Sequence, residues 1–237
     1  MAIILKGGSI FLHIPKTGGV WTRDVLQKSD LVEGFIGPTH ADVDRVFSPI
    51  AYTYSWKQLI KFLTNKLTRT VSGSKPFMFT FVRHPLTWYE SCYRYMSNLE
   101  ELSGGRWKNW QYWGDEKRVD LWHPWSTLNG LGSNDFNEFV RNINQKRPGY
   151  VTELFGWYTT PVVDFIGKQE NLCEDLIKVL KLLDLKFDEE FIRNYKVANR
   201  SFHKQNISWD PALKKQVEKL EYAGLVKYNY LPNEIEK

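Results

Sequence analysis

The sequence predicts an α/β protein with one domain (1–237), in which helices flank a central parallel β-sheet. Three short apolar runs have the composition of buried strands, and each is followed by a segment with helical periodicity. This alternation of strand and helix is typical of parallel sheets. The length of 237 residues and the apolar content of 42% fit a single domain with a continuous core. We assign the strands to Ser9–Ile14, Phe77–Val82 and Val162–Ile166.

Helices are predicted after each of these strands. The first is expected over Gly18–Gln27, and the second strand leads into a helix over Pro85–Met96, because proline suits the first helical position. The third, Asn171–Leu183, has acidic residues in its first turn, where the helix dipole favours them. Two further helices are predicted, one around Trp56–Leu67 and one that opens with Asp210 and Pro211 as N-cap and first helical residue.

A Trp-rich segment at about 102–132 interrupts the alternation of strands and helices. We therefore expect it to be an insertion or lid. Loops of this kind often carry specificity. Its tryptophans either pack against the domain or present aromatic faces to an acceptor. They are Trp107, Trp110, Trp113, Trp122 and Trp125.

The strongest functional signal is the turn between the first strand and the first helix, with the sequence I-P-K-T-G-G-V-W. Glycines at a helix start let backbone N–H groups approach and bind an anion, and the lysine and threonine add a charge and a hydroxyl donor. The lysine precedes both glycines, so the turn is not a Walker A loop. The predicted phosphate or sulfate cradle comprises Pro15, Lys16, Thr17, Gly18, Gly19, Val20 and Trp21.

A second anion-binding element is predicted at the end of the second strand. Arg83 follows the strand directly, and Ser91 lies eight residues later, in the second turn of the helix that begins at Pro85. A forked guanidinium and a hydroxyl at this spacing can bind one phosphate. Alternatively, Arg83 forms an ordinary salt bridge, and Lys16 of the first turn is a surface lysine.

These two segments resemble, in order, the 5′-phosphosulfate loop and the 3′-phosphate element of sulfotransferases that use 3′-phosphoadenosine 5′-phosphosulfate (PAPS). The similarity is to bacterial- or phage-type members related to the carbohydrate sulfotransferases. A third stretch, 162–176, resembles the strand, I-G-[RK]-x-E-x-L turn and helix of the family, and 196–204 resembles its late N-x-S loop. The resemblance spans about 9–230 apart from the Trp-rich segment, and it departs from the family pattern at Val20, His84 and Trp88.

The resemblance implies a P-loop-like three-layer sandwich and transfer of a sulfuryl group by in-line displacement, with adenosine 3′,5′-bisphosphate (PAP) as product. Lys16 is then placed at the bridging oxygen of PAPS, the amides of Thr17–Val20 hold the 5′-phosphate, and Arg83 with Ser91 holds the 3′-phosphate. In the late loop, Arg200 and Lys204 either reach PAPS or belong to a solvated loop. The acceptor is expected to be a carbohydrate or small-molecule hydroxyl, while peptide tyrosine and lipid stay open.

A hydroxyl acceptor requires a general base, and His40 is the candidate because an imidazole suits this role near neutral pH. Alternatively, His40 caps a helix beginning at Ala41 or fills a turn. Asp42 and Glu33 are the reserve candidates. His13 and His84 are expected to have structural roles.

The composition limits the partners that we expect. A net charge of +5 suits a polyanionic small ligand, but no run of five or six basic residues points to nucleic acid. No window is apolar enough for a membrane span, and neither a metal-ligand spacing nor a disulfide framework is recognisable. We therefore expect a cytoplasmic protein with two buried free thiols. The alternatives are a P-loop-type nucleotide phosphotransferase and a catalytically inactive member that binds a nucleotide or glycan.

Overall fold

The computed structural model describes residues 1–47, 75–103, 123–196 and 207–231. Over these residues the protein is an α/β protein with a five-stranded mixed sheet and nine α-helices. The strand order across the sheet is β3-β1-β2-β4-β5. The strands are β1 (Ala2–Leu5), β2 (Ile10–Leu12), β3 (Val32–Ile36), β4 (Met78–Val82) and β5 (Phe165–Lys168).

The expected parallel sheet is found in one part of the sheet and not in the other. β2, β4 and β5, which correspond to the three predicted strands, pair in parallel. β1 was not predicted, and it pairs antiparallel with both β2 and β3. The physical reason is the short Lys6–Ser9 connection, in which Gly7 and Gly8 have φ of 80° and 79°. A connection of this length closes a hairpin, whereas parallel strands need a long crossover.

The helices begin and end close to the predicted positions where cap residues mark them. Asp210 caps its helix by accepting hydrogen bonds from the amides of Ala212 and Leu213, and Pro211 is the first helical residue, as predicted. The nine helices are α1 (Gly19–Lys28), α2 (Val43–Phe47), α3 (Pro85–Ser103), α4 (Phe136–Lys146), α5 (Tyr150–Gly156), α6 (Leu172–Leu182), α7 (Glu189–Asn194), α8 (Pro211–Leu220) and α9 (Tyr222–Lys227). The described residues also form two 3₁₀ helices, Pro124–Leu128 and Gln169–Asn171.

Both faces of the sheet are covered by helices. Alternate residues of β4 point to opposite sides, so Met78 and Val82 enter one buried cluster and Phe79 and Phe81 enter another. The first cluster contains residues of α3, α4, α5 and α8, and the second contains residues of α1, α6 and α7. The central strands are therefore buried on both sides, which explains why they read as continuous apolar runs.

Two predictions need correction or qualification. The third strand lies over Phe165–Lys168 rather than Val162–Ile166, because Val162 belongs to a turn and its side chain is 40% exposed. In the Trp-rich segment the described residues from His123 onward include the short 3₁₀ helix, in which Trp125 is buried. The predicted helix around Trp56–Leu67 and the residues Trp107, Trp110, Trp113, Trp122, Arg200 and Lys204 lie outside the described residues.

The described part of the chain contains no helix with the length and apolar character required to cross a membrane.

Candidate functional site

The predicted anion cradle lies between the end of β2 and the start of α1. Gly18 is the N-cap of α1 with φ of 86°, and no side chain caps the helix. The amide of Thr22 is the first to bond within the helix, to the carbonyl of Gly18 at 3.1 Å. The first three helical residues, Gly19 to Trp21, precede this bond, so their N–H groups have no acceptor within the helix. These donors and the positive end of the helix dipole suit an anion.

Two close contacts explain the glycines of the turn. A Cβ atom on Gly19 would lie 1.8 Å from the ring of His13, and one on Gly18 would lie 2.4 Å from Leu172 at the start of α6. Neither distance is compatible with a side chain unless its neighbour moves. His13 therefore supports the turn from inside, in line with the structural role expected for it.

The backbone of Lys16 has a left-handed conformation, with φ of 67°. This conformation costs roughly 1–2 kcal/mol for a residue with a Cβ atom. Two donors from the β4–α3 segment hold the turn in place. The indole Nε1 of buried Trp88 donates to the carbonyl of Pro15 at 2.9 Å, and Nη1 of Arg83 donates to the carbonyl of Lys16 at 3.3 Å. The two predicted anion-binding elements are thus in direct contact.

The ammonium group of Lys16 is partly desolvated. Burial lowers the pKa of Lys16 to about 8; the Cys92 thiol opposes this shift, and the positive charge of Arg83 adds to it. The Nζ atom lies 4.1 Å from the centroid of the Tyr95 ring. No carboxylate among the described residues pairs with this ammonium, so its charge can act on an anion.

Arg83 lies just before α3, and Ser91 lies in the second turn of this helix. Nε of Arg83 donates to the hydroxyl of Thr87 at 3.0 Å and Nη1 donates to the turn, while within the described residues nothing accepts from Nη2. Ser91 lies three residues after Trp88 and four before Tyr95, and both of these aromatic residues contact the turn. Helical spacing therefore directs Ser91 to the same side.

His40 has its ring fixed by a backbone acceptor. Nδ1 lies 2.9 Å from the carbonyl oxygen of His13. A carbonyl can only accept, so Nδ1 carries the proton, and in the neutral ring Nε2 holds the free lone pair. The hydroxyl of Tyr158 donates to the carbonyl of His40 at 2.5 Å, and the backbone of His40 has φ of 58°. Burial lowers the pKa of His40 to about 4, so the ring is neutral at pH 7.

Of the two alternative roles expected for His40, the helix cap is not found, whereas His40 does lie in a turn. α2 begins at Val43, and the carboxylate of Asp42 accepts from the amide of Arg45 at 3.0 Å and from its Nη1 at 2.5 Å. Asp42 is therefore the residue that caps this helix and binds a guanidinium. Glu33, the other reserve, lies exposed in the edge strand β3.

His40 belongs to a cluster of aromatic rings beside the turn. Its ring lies edge-on to those of His13 and His123, with centroids 4.4 and 5.0 Å away, and 6.4 Å from Trp125. Burial lowers the pKa of His123 to about 2, and its Nδ1 accepts from the amide of Trp125. Among the described residues, no group of three or more His, Cys, Asp or Glu has the arrangement of a metal site.

Some side chains of the predicted site have contacts within the protein. The hydroxyl of Thr17 donates to the carbonyl of Ile14 at 3.0 Å, so its hydrogen is used inside the turn. The side chain of Trp21 is buried in the core, and its Nε1 donates to the carbonyl of Tyr195 at 3.3 Å. The prediction that the Thr17 hydroxyl donates to an anion is therefore wrong, and Trp21 has only its amide to offer.

His84 contacts the stretch 162–176 through Glu170, close to Arg83. The ring Nδ1 of His84 accepts from the amide of Leu86 at 3.3 Å, which supports the start of α3, as expected of a structural residue. The carboxylate of Glu170 accepts from the amide of His84 and from the hydroxyl of Tyr230, both at 2.8 Å.

The sequence analysis assigned no role to Glu170 or Tyr95, and it treated Trp88 only as a departure from the family pattern. The available signal was the seven-residue spacing of Trp88 and Tyr95, which places both residues on the same side of a helix.

No protein-family model matches the chain, and no curated protein or solved structure is significantly similar to it. The geometry of the site is therefore the basis for a functional assignment.

Proposed function

We propose that this protein is a PAPS-dependent sulfotransferase with a P-loop-like three-layer α/β fold. The observation that carries the proposal is the hydrogen bond from Arg83 to the carbonyl of Lys16. This bond joins two elements, each of which suits a different phosphate group, into one candidate site. A nucleotide with phosphates on both the 3′ and the 5′ oxygen of its ribose fits such a pair of elements better than a simple phosphate does.

The residues present fit the 5′ end of PAPS. The N–H groups of Gly19 to Trp21 have no acceptor within α1, and the Lys16 ammonium has no carboxylate partner in the described part of the chain. A phosphosulfate supplies the oxygen acceptors that these donors lack. Bound negative charge also raises the pKa of Lys16 and keeps it protonated.

The residues present also fit the 3′-phosphate. Within the described residues nothing accepts from Nη2 of Arg83. Helical spacing directs Ser91 to the side of α3 that contacts the turn. Arg83 is itself held by Thr87 and by the turn, so little side-chain freedom is lost on binding. Charge-assisted hydrogen bonds of this kind contribute about 1.5–3 kcal/mol each.

PAPS supplies a sulfuryl group whose departure leaves negative charge on the bridging oxygen. Lys16 is the cation that stabilises this charge, and a preorganised donor of this type contributes roughly 3–4 kcal/mol. His40 acts as the general base, with Nε2 accepting the acceptor proton while Nδ1 stays bonded to His13. The bound anion raises the pKa of His40 from its low value, which improves its strength as a base.

We further propose a carbohydrate or small-molecule hydroxyl as acceptor and a cytoplasmic location. Cys92 and Cys173 are free thiols, which suits a reducing compartment. Cys92 is buried as expected, whereas Cys173 is only partly buried.

The proposal is tested by following the formation of PAP from PAPS with a panel of sugar, phenol and alcohol acceptors. We expect acceptor-dependent turnover in the native protein and a loss of at least 100-fold in Lys16→Ala, by analogy with the loss of an oxyanion donor. The melting temperature of Lys16→Ala should not fall, because the change removes a desolvated cation and leaves the backbone strain at position 16 as it was. Near-native turnover in Lys16→Ala would refute the mechanism, and inert native protein across the panel would favour an inactive binding protein.

A further inference from the structure

Tyr95 contacts the ammonium of Lys16 with the face of its ring. The Nζ atom lies 4.1 Å from the ring centroid, well inside the distance at which a cation is attracted to an aromatic face. Tyr95 lies on α3 seven residues after Trp88, which holds the carbonyl of Pro15. One side of α3 therefore fixes both the backbone of the turn and the end of its lysine side chain.

The ring of Tyr95 is itself held in place. It packs against Trp125, with ring centroids 5.0 Å apart and planes at 51°. Trp125 is only 6% exposed, lies in the 3₁₀ helix Pro124–Leu128 and belongs to the hydrophobic core. The same indole lies 6.4 Å from the ring of His40. Tyr95 and Trp125 thus connect the proposed catalytic cation with the proposed base.

The kind of partner matters for an anion-binding lysine. A carboxylate would hold the ammonium but would also cancel its charge and compete with an incoming anion. An aromatic face attracts the cation and leaves its net charge unchanged. In the described part of the chain, the ionisable groups that shift the pKa of Lys16 are Cys92, a buried thiol whose pKa is raised to about 12, and Arg83, which is a cation. The positive charge of Lys16 also lowers the pKa of His40, whose ring is neutral at pH 7. None of these groups anchors the ammonium as a neutralising partner at neutral pH.

We propose that Tyr95 is a positioning residue that holds the Lys16 ammonium beside the anion-binding turn without neutralising it. This inference rests on the proposed function in so far as Lys16 is the catalytic cation. The contact of the two residues can be tested without any nucleotide.

The test is competitive acetylation of the amines of the whole protein across pH 6–10, with the modified Lys16 peptide quantified by mass spectrometry. For native protein we expect an apparent pKa of about 8. Tyr95→Phe keeps the aromatic face and should leave this value unchanged. Tyr95→Leu removes the face that favours the charged form, so the apparent pKa should fall by about half a unit or more.

The controls separate the contact from general effects of the substitution. Tyr222→Leu removes a tyrosine that is 58% exposed on α9, and it should not change the Lys16 value. The exposed Lys215 in the same digest is an internal reference. Should Tyr95→Leu fail to fold, Tyr95→Met is a second variant without an aromatic face.

An unchanged Lys16 value in the folded non-aromatic variant would overturn the inference, as would an equal fall in this variant and in Tyr95→Phe. If PAP binds but the apparent pKa of Lys16 is unchanged in the Tyr95 variants, only this inference fails. If Lys16 responds to Tyr95 while PAP does not bind, the proposed function fails and the contact stands. If PAP binds and Lys16 responds to Tyr95, the alkaline limb of the pH–rate profile should shift in Tyr95→Leu together with the apparent pKa of Lys16 measured by acetylation.

Discussion

At the scale of single residues, the proposed catalytic pair shares an unusual backbone conformation. Five non-glycine residues in the described part of the chain have positive φ, and three of them are Asp or Asn, which tolerate this conformation. The other two are Lys16 and His40. Each is fixed from outside, Lys16 through donors to the turn and His40 through its own ring and the hydroxyl of Tyr158. Backbone strain that is held in this way often marks a functional site.

The two residues also predict the pH dependence of the reaction. The kcat/KM for PAPS reports the free enzyme. It should rise as His40 loses its proton near pH 4, and it should fall as Lys16 loses its proton near pH 8. A pH–rate profile from 4 to 10 measures both limbs. In Lys16→Arg the alkaline limb should disappear from any remaining activity, because a guanidinium does not deprotonate in this range. An alkaline limb that persists in this variant would exclude Lys16 as its origin.

At the scale of elements, the sequence predicted the turn and its anion-binding character but not what holds it. The order of residues from Pro15 to Trp21 is a local signal, because helix starts and glycines act within a few residues. The contacts of the turn with Trp88 and Arg83 join positions about 70 residues apart in the chain. The sequence predicted Arg83 as part of a second anion-binding element, but for neither Arg83 nor Trp88 did it signal a contact with the turn.

Gly19 provides a test of this unit. A methyl group at position 19 would lie 1.8 Å from the ring of His13, whose carbonyl fixes His40. We therefore expect Gly19→Ala to cost about 1–3 kcal/mol of stability, which is typical of overpacking, and to weaken PAP binding. Urea denaturation and calorimetry measure the two effects.

Gly34→Ala in β3 is the matched control for Gly19→Ala. An added Cβ atom there would meet nothing within 4 Å, and no positive φ is involved. Its stability and PAP affinity should stay close to native. A Gly19→Ala protein that behaves like this control would show that His13 does not pack against the turn.

At the scale of the whole molecule, the sequence predicted the parallel half of the sheet better than the antiparallel half. The buried strands β2 and β4 read as apolar runs because helices cover both of their faces. β1 is a four-residue strand, and its signal was the Gly7–Gly8 turn that closes its hairpin with β2. β3 contains exposed Glu33 and a glycine, so its composition is not that of a strand. β3 forms instead because it pairs with β1.

One buried carboxylate joins distant parts of the molecule. Glu221, between α8 and α9, is fully buried and accepts from the hydroxyl of Tyr89 on α3 at 2.9 Å. It also accepts from the amides of Val151 and Thr152 and from the Thr152 hydroxyl in the first turn of α5. This arrangement satisfies the start of a helix that no local side chain caps.

Glu221→Gln should therefore destabilise the protein by about 2 kcal/mol, because its amide group places donors opposite donors in a buried site. Chemical denaturation measures the free energy of unfolding. Glu190→Gln, at an exposed position of α7, is the control and should change stability by less than about 0.5 kcal/mol. Equal stabilities of the two variants would contradict a central role for Glu221.

The most direct measurement is calorimetric titration of the native protein and of Arg83→Ala with PAP, with ATP plus Mg²⁺ as the comparison ligand. Arg141→Ala, which removes an exposed guanidinium paired with Asp210, controls for the loss of one positive charge. We predict binding of PAP without Mg²⁺, an affinity lower by roughly 10- to 100-fold in Arg83→Ala, and a native affinity in Arg141→Ala. Binding of ATP with Mg²⁺ but not of PAP would contradict the sulfotransferase assignment and favour a phosphotransferase.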